Sequence, residues 1–134
     1  MLRRFLPAML LLAGGCVPDQ GPLMYPGEDC LSCHSGQGGA KTWTVAGTVF
    51  SGPHVSASEG LQGATVAVTD ANGRTVNLKT NQAGNFYLAD AVAFPLSVSV
   101  SYQDAIQTMG VQVQYGGCNS CHQTPGRGRV TPFP

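Results

Sequence analysis

The sequence predicts an all-β fold, in which about six strands form two sheets that pack face to face. Apolar and polar residues alternate with a period of two, most clearly in LSVSVSY at 96–102. In this run Leu96, Val98, Val100 and Tyr102 share one face, and serines occupy the other. Turn-forming residues separate such runs. After the apolar segment at the N-terminus, no long stretch has apolar residues at the spacing of a helix. Strands with one apolar face bury it most readily between two sheets.

Six runs carry the strand pattern: 43–50, 64–69, 75–80, 85–89, 96–102 and 106–115. The pair Asn72-Gly73 between the second and third runs is a strong hairpin signal, and Gly84 marks a tight connection before the fourth. Four apolar residues of the last run are expected to face the core: Met109, Val111, Val113 and Tyr115. Met109 is therefore interpreted as a core residue rather than as a metal ligand.

The stretch from about 44 to 113 resembles the carboxypeptidase regulatory-like, transthyretin-type family of β-sandwiches. The resemblance depends on these residues: Val45, Gly47, Val49, Gly63, Ala64, Val66, Val68, Thr80, Gly84, Phe86 and Leu88. It implies an Ig-like or prealbumin-like β-sandwich of about six to seven strands over residues 43–115, a module with no activity of its own. The sequence departs from that family at 51–60, where SGPHVSASEG lengthens the first connection. Function must therefore come from sites added to the fold.

The motif Cys-x-x-Cys-His occurs twice, once on each side of the predicted sandwich. It is the attachment signature of c-type haem, in which two thiols bond to the porphyrin and the histidine binds iron. Exported multihaem cytochromes resemble this chain at these positions. The sequence thus predicts two c-type haems, with haem-binding segments at 16–42 and 116–134. The attachment residues are Cys30, Cys33, Cys118 and Cys121, and the axial iron ligands are His34 and His122.

Two other uses of the four motif cysteines are open. They could hold a structural zinc ion as a four-cysteine site, or they could form disulfides. Neither use requires His34 or His122. The chain has only three histidines, and two of them directly follow the cysteine pairs, so the haem interpretation is favoured.

The candidate distal iron ligands are His54 and Met24. If six strands simply alternate in direction, the first begins and the last ends at the same pole, which brings the two motifs side by side. The loop that carries His54 then lies at the opposite pole, about 20–25 Å away. In that arrangement His54 would bind the haem of a neighbouring molecule, and a homo-oligomer would grow as an open filament.

The first fifteen residues read as a lipoprotein signal peptide, with Arg3 and Arg4 followed by a short apolar run. LLAGGC resembles a lipobox, which makes Cys16 the lipidated residue, and residues 17–29 read as a tether. Ordinary signal cleavage, with Cys16 free or paired, is the alternative. Val17 replaces the Asp that is associated with inner-membrane retention. We therefore expect a lipid-anchored protein of the bacterial cell envelope, at the outer membrane.

Together these features predict a dihaem c-type cytochrome lipoprotein that carries electrons between redox partner proteins of the envelope. No nucleophile constellation or pair of carboxylates indicates an enzyme. The formal net charge is zero and no basic run is present, which excludes nucleic acid as a partner. The alternative is a surface binding or structural β-sandwich module, with a zinc or disulfide staple joining its ends.

Overall fold

A computed structural model describes residues 21–36 and 40–134 of the protein. Two short 3-10 turns, Cys30–Ser32 and Cys118–Ser120, lie on either side of the strands. The strands are β1 (Val45–Thr48), β2 (Thr65–Thr69), β3 (Thr75–Lys79), β4 (Asn85–Leu88), β5 (Ser97–Tyr102) and β6 (Ala105–Thr108). Within these described ranges, no helix has the length and apolar character needed to cross a membrane. The leader, Cys16 and residues 17–20 lie outside the described residues.

The strands form two antiparallel sheets, which confirms the predicted all-β fold class. The larger sheet has the order β3-β2-β5-β6, and β1 pairs with β4 in the smaller one. In the larger sheet Val66 stands opposite Val100, and Val68 stands opposite Val98. This register places the apolar residues of neighbouring strands on one face, as the period of two predicts.

The core is a single cluster between the two sheets. It contains Val45, Val49, Ala64, Val66, Val68, Phe86, Leu88, Leu96, Val98 and Val100. Burying each large side chain of this kind stabilises the fold by about 1.5–3 kcal/mol relative to leaving it exposed. Met109 packs against this cluster, which confirms its interpretation as a core residue.

The predicted last strand is wrong beyond Thr108, where β6 ends. Thr108 stands opposite Ser99, and Val113 stands opposite Leu96. The chain therefore advances five residues from Thr108 to Val113 while its partner strand advances only three. The two extra residues form a bulge, which interrupts the alternation. As a result Val111 and Tyr115 are 64% and 49% exposed, whereas Val113 packs against the core as predicted.

After this bulge the chain crosses to the smaller sheet and runs parallel to β1. Gly117 pairs with Ala46, and Val130 pairs with Val49. The intervening residues 118–129 leave the sheet as a long excursion, and this excursion carries the second Cys-x-x-Cys-His motif.

The segment before the first motif is docked, which corrects the expectation of a free tether as far as residues 21–29 are concerned. The Asn85 Nδ2 amide donates to the carbonyl oxygens of Pro22 and Met24, at 3.2 and 2.9 Å. The Gly27 amide donates to Thr48 Oγ1 at 2.9 Å. Asn85 and Thr48 are buried, so these hydrogen bonds fix the segment across the ends of β1 and β4.

Candidate functional site

The two motif segments adopt the same backbone conformation. Each begins as a 3-10 turn, at Cys30–Ser32 and at Cys118–Ser120. The second cysteine of each motif ends the turn with nearly identical angles, φ −107° and ψ −34° at Cys33 and φ −105° and ψ −35° at Cys121. Since the sequences around them differ, the shared conformation comes from the motif residues themselves.

A serine in the third motif position stabilises each turn. Ser32 Oγ donates to the carbonyl oxygen of Asp29 at 2.7 Å, and Ser120 Oγ donates to that of Gly117 at 2.6 Å. Serine side chains commonly bond to the backbone in this way at short turns. Both motifs are thus Cys-x-Ser-Cys-His, and the serine closes the turn before the second cysteine.

Both motif histidines present the same ring nitrogen to a backbone carbonyl. His34 Nδ1 lies 2.6 Å from the Lys41 carbonyl oxygen, and His122 Nδ1 lies 3.1 Å from that of Gly128. A carbonyl only accepts, so the Nδ1 atoms carry the protons in the neutral tautomer and the Nε2 lone pairs are available. No residue in the described part of the chain hydrogen-bonds to either Nε2. This is the arrangement found at histidines that bind a metal through Nε2.

The first histidine also stacks on an aromatic pair. The rings of His34 and Trp43 have centroids 5.2 Å apart and an interplanar angle of 28°. Trp43 stacks in turn on Tyr87 at 4.5 Å, and its amide donates to the His34 carbonyl oxygen at 2.7 Å. His122 has no such ring contact among the described residues, so the two motifs differ in how their histidines are held.

Asn119 joins the two motifs. Its side chain is buried, with 1% exposed, although it is the second residue of a Cys-x-x-Cys-His motif. Its Nδ2 donates to the Glu28 carbonyl oxygen at 2.8 Å and to Thr48 Oγ1 at 3.1 Å, and its Oδ1 accepts from the Thr48 amide at 3.1 Å. Leu31, the matching residue of the first motif, is also buried. The motifs are therefore neighbours beside β1, as expected, because the chain runs back along that strand.

A carboxylate lies at the same junction. The Oδ1 atom of Asp29 is buried and has no hydrogen-bond partner among the described residues. Tyr115 lies beside it, and burial together with the Asp29 charge raises the pKa of that phenol. A buried carboxylate oxygen without a partner among the described residues therefore lies next to Cys30.

The cysteines differ in environment. Burial, with a smaller contribution from the Asp29 charge, raises the pKa of the Cys30 thiol to about 11. Burial, with a smaller contribution from Cys30, raises the pKa of the Cys118 thiol to about 12. Cys121 is exposed. Cys33 is disulfide-bonded, so a thioether at this position requires that disulfide to be reduced first.

The zinc alternative requires the sulfur atoms of all four motif cysteines to cluster. Over residues 21–36 and 40–134, no group of three or more His, Cys, Asp or Glu side chains is arranged to hold a metal ion. The arrangement therefore adds no support to a zinc staple.

The structure corrects the expected position of His54. The Arg129 amide donates to the Pro53 carbonyl oxygen at 2.8 Å, and a Cβ built on Gly128 would lie 3.6 Å from His54 Cε1. The loop at 51–60 therefore lies against the end of the second motif segment, not at an opposite pole. The reason is that β1 has only four residues and the chain after the second motif runs parallel to it.

This position also bears on iron binding by His54. The Gly128 carbonyl oxygen lies 3.1 Å from His122 Nδ1, and His54 lies next to Gly128, so His54 is in the same region of the fold as the second motif. Met24, the other candidate, lies on the docked segment with its carbonyl bonded to Asn85.

Several residues of this site could not be found from the sequence. Asn119 occupies a motif position that accepts any residue. In the sequence, Thr48 and Asn85 cannot be distinguished from ordinary strand residues. Asn119 and Glu28 are far apart in sequence, so no local pattern predicts their contact. Comparisons with models of protein families, with curated proteins and with solved structures found no match.

Proposed function

We propose that the protein is a dihaem c-type cytochrome that carries electrons in the bacterial cell envelope. The observation that carries this proposal is the matched pair of motif segments, each with its histidine Nδ1 bonded to a backbone carbonyl and its Nε2 left for a metal. A disulfide between cysteines does not require a histidine after either cysteine pair. Twin conformations are expected if both segments hold the same cofactor.

The roles of the residues follow from the motif. Cys30 and Cys33 would attach the first haem by thioether bonds, and His34 would bind its iron. In the second segment, Cys118, Cys121 and His122 would do the same. When bound, each haem supplies a one-electron step between ferric and ferrous iron. The chain itself fixes the tautomer of both histidines and, through Asn119, holds the two attachment points together.

The remaining parts of the proposal rest on the sequence. We propose a prealbumin-like β-sandwich as the scaffold, a lipid anchor on Cys16 and a place at the outer membrane. Two adjacent haems suit a relay between redox partner proteins, and the protein is proposed to act as a carrier rather than an enzyme. The distal ligands would come from Met24 or from another protein.

A second candidate function is a structural or binding module with a disulfide at Cys33. Cys33 is disulfide-bonded, which fits an oxidising compartment, but Cys30, Cys118 and Cys121 are free, so no disulfide joins the two motif segments and the expected staple between them is wrong. In that case His34 and His122 would only close their loops, by their Nδ1 bonds.

The test is haem content. The full chain is produced in a bacterium with c-type haem attachment machinery, and haem per chain is measured by haemochrome absorbance and intact mass. We expect two covalent haems per chain. Changing both Cys118 and Cys121 to Ser should leave one, as should changing both Cys30 and Cys33 to Ser. A wild-type chain with no haem and an intact disulfide at Cys33 would favour the structural or binding module instead.

A further inference from the structure

A cleft of about 150 Å³ opens between the two motif segments. Its walls come from both sides of the junction: Gly27, Glu28, Gln123, Thr124 and Arg129. The first two residues shortly precede Cys30, and the next two directly follow His122. Whatever enters this cleft is therefore close to both proposed haem-attachment segments.

The guanidinium of Arg129 is held in a fixed position at the cleft. Its Cζ lies 4.3 Å from the centroid of the Phe50 ring, and its Nε donates to the Val55 carbonyl oxygen at 3.4 Å. Gly27 packs so closely that a Cβ at this position would overlap Arg129 Nη1. A side chain restrained in this way loses little further freedom when it binds a ligand.

The Nη groups of Arg129 remain available. Among the described residues Arg129 forms no ion pair, and no hydrogen bond from its Nη atoms is present there, whereas Arg74 pairs with Asp90 at 2.8 Å. The Arg129 side chain is half-buried. Its planar fork of donors matches a carboxylate or a phosphate.

We infer that Arg129 forms an anion site between the two motifs, and that its occupant is a propionate carboxylate of one of the attached haems. The inference rests on the proposed function, because it takes the ligand from the haem. Glu28 is acidic and lines the same cleft, so an ion pair between Glu28 and Arg129 is the competing arrangement.

The first measurement is the midpoint potential of each haem in wild type, Arg129→Gln and Arg127→Gln. Arg127 is exposed and stands two residues away, so its variant reports the general effect of removing one positive charge. We expect Arg129→Gln to lower one potential by more than Arg127→Gln does, because loss of a cation beside the propionate favours ferric iron. Haem content should stay at two. Equal effects of the two variants would overturn the inference.

The second measurement follows the Arg129 side-chain signals by ¹⁵N NMR during titration with sodium acetate. In the haem-free chain, acetate should shift these signals. In the ferrous, haem-loaded chain it should not, because the propionate already occupies the site. Shifts in both forms would mean that a free carboxylate is the occupant, and no shift in either form would overturn the site.

Glu28→Gln separates the competing ion pair from the proposed site. If Glu28 is the partner of Arg129, this variant alone changes the Arg129 signals in the haem-loaded chain, and the inference is wrong. If the wild-type chain attaches no haem, the proposed function fails, whereas the acetate titration of the haem-free chain still decides whether Arg129 binds a carboxylate.

Discussion

The side-chain amide of Asn119 donates a 2.8 Å hydrogen bond to the carbonyl oxygen of Glu28, which lies 91 residues earlier in the chain. The donor belongs to the second Cys-x-x-Cys-His motif, and the acceptor stands two residues before the first. The same amide group is bonded to Thr48 of β1. Because the side chain is buried and bonds both to the segment that carries the first motif and to β1, Asn119 sets the spacing of the two motifs.

Asn119→Leu, which copies Leu31 of the first motif, should therefore destabilise the protein and loosen the junction. It leaves the buried Thr48 amide without its acceptor, and such a loss costs about 1–3 kcal/mol. Urea unfolding measures the change in free energy, and paramagnetic resonance of the oxidised protein measures the coupling between the two irons. Asn77→Leu, on the exposed face of β3, is the control and should change stability by no more than about 0.5 kcal/mol. Unchanged coupling in Asn119→Leu would contradict the spacing role.

Trp43→Leu should affect the first haem alone. The indole stacks on the His34 ring, and aromatic pairs of this kind contribute about 0.5–1.5 kcal/mol beyond their burial. Without the stack, external imidazole should displace His34 more readily, by about threefold to tenfold. The displacement is followed by absorbance in the Cys118→Ser, Cys121→Ser background, which should keep only the first haem. Trp43→Phe should restore most of the affinity, and the matching variant with only the second haem should not respond to Trp43→Leu.

Alkylation of the haem-free chain at different pH values should distinguish Cys30, Cys118 and Cys121, which are the free cysteines among the described residues. Only the thiolate reacts, and burial raises the pKa values of Cys30 and Cys118 to about 11 and about 12. At neutral pH both should react at least about tenfold more slowly than an ordinary exposed thiol. Their rates should keep rising as the pH increases through 10, since the thiolate fraction grows up to the pKa. Peptide mass spectrometry after timed iodoacetamide treatment measures each site. Equal rates at Cys30, Cys118 and Cys121 near pH 8 would contradict the burial of the first two.

His54→Ala should change neither the haem spectra nor the assembly size. His54 is exposed beside Gly128, and its ring forms no hydrogen bond with another described residue, so we expect it to be a solvated loop residue. Absorbance and analytical sedimentation of the variant test both expectations. A spectral change with the same sedimentation would mean that the loop rearranges to supply a ligand. A spectral change together with dissociation of oligomers would restore the filament that the sequence first suggested.

The strands and the two motif turns were determined largely by the sequence alone. Period-two alternation places Val66, Val68, Val98 and Val100 on one face of their strands whatever their neighbours are, because successive side chains point to opposite sides. The motif turns are local as well, since Ser32 and Ser120 bond to carbonyls only three residues away. The Cys-x-x-Cys-His pattern located both candidate attachment segments without a structure.

What only the tertiary structure decided is how the long-range segments meet. The bulge after Thr108 exposes Val111 and Tyr115 and sends the chain back along β1, and this parallel return places Asn119, Gly128 and Arg129 beside distant residues. The alternating direction of successive strands predicted that the two motifs are neighbours. That prediction assumed that no residue after the last strand pairs with an earlier strand. Contacts such as Asn119 with Glu28 and Arg129 with Phe50 depend on where a loop of a dozen residues closes, and no local propensity or periodicity encodes that closure.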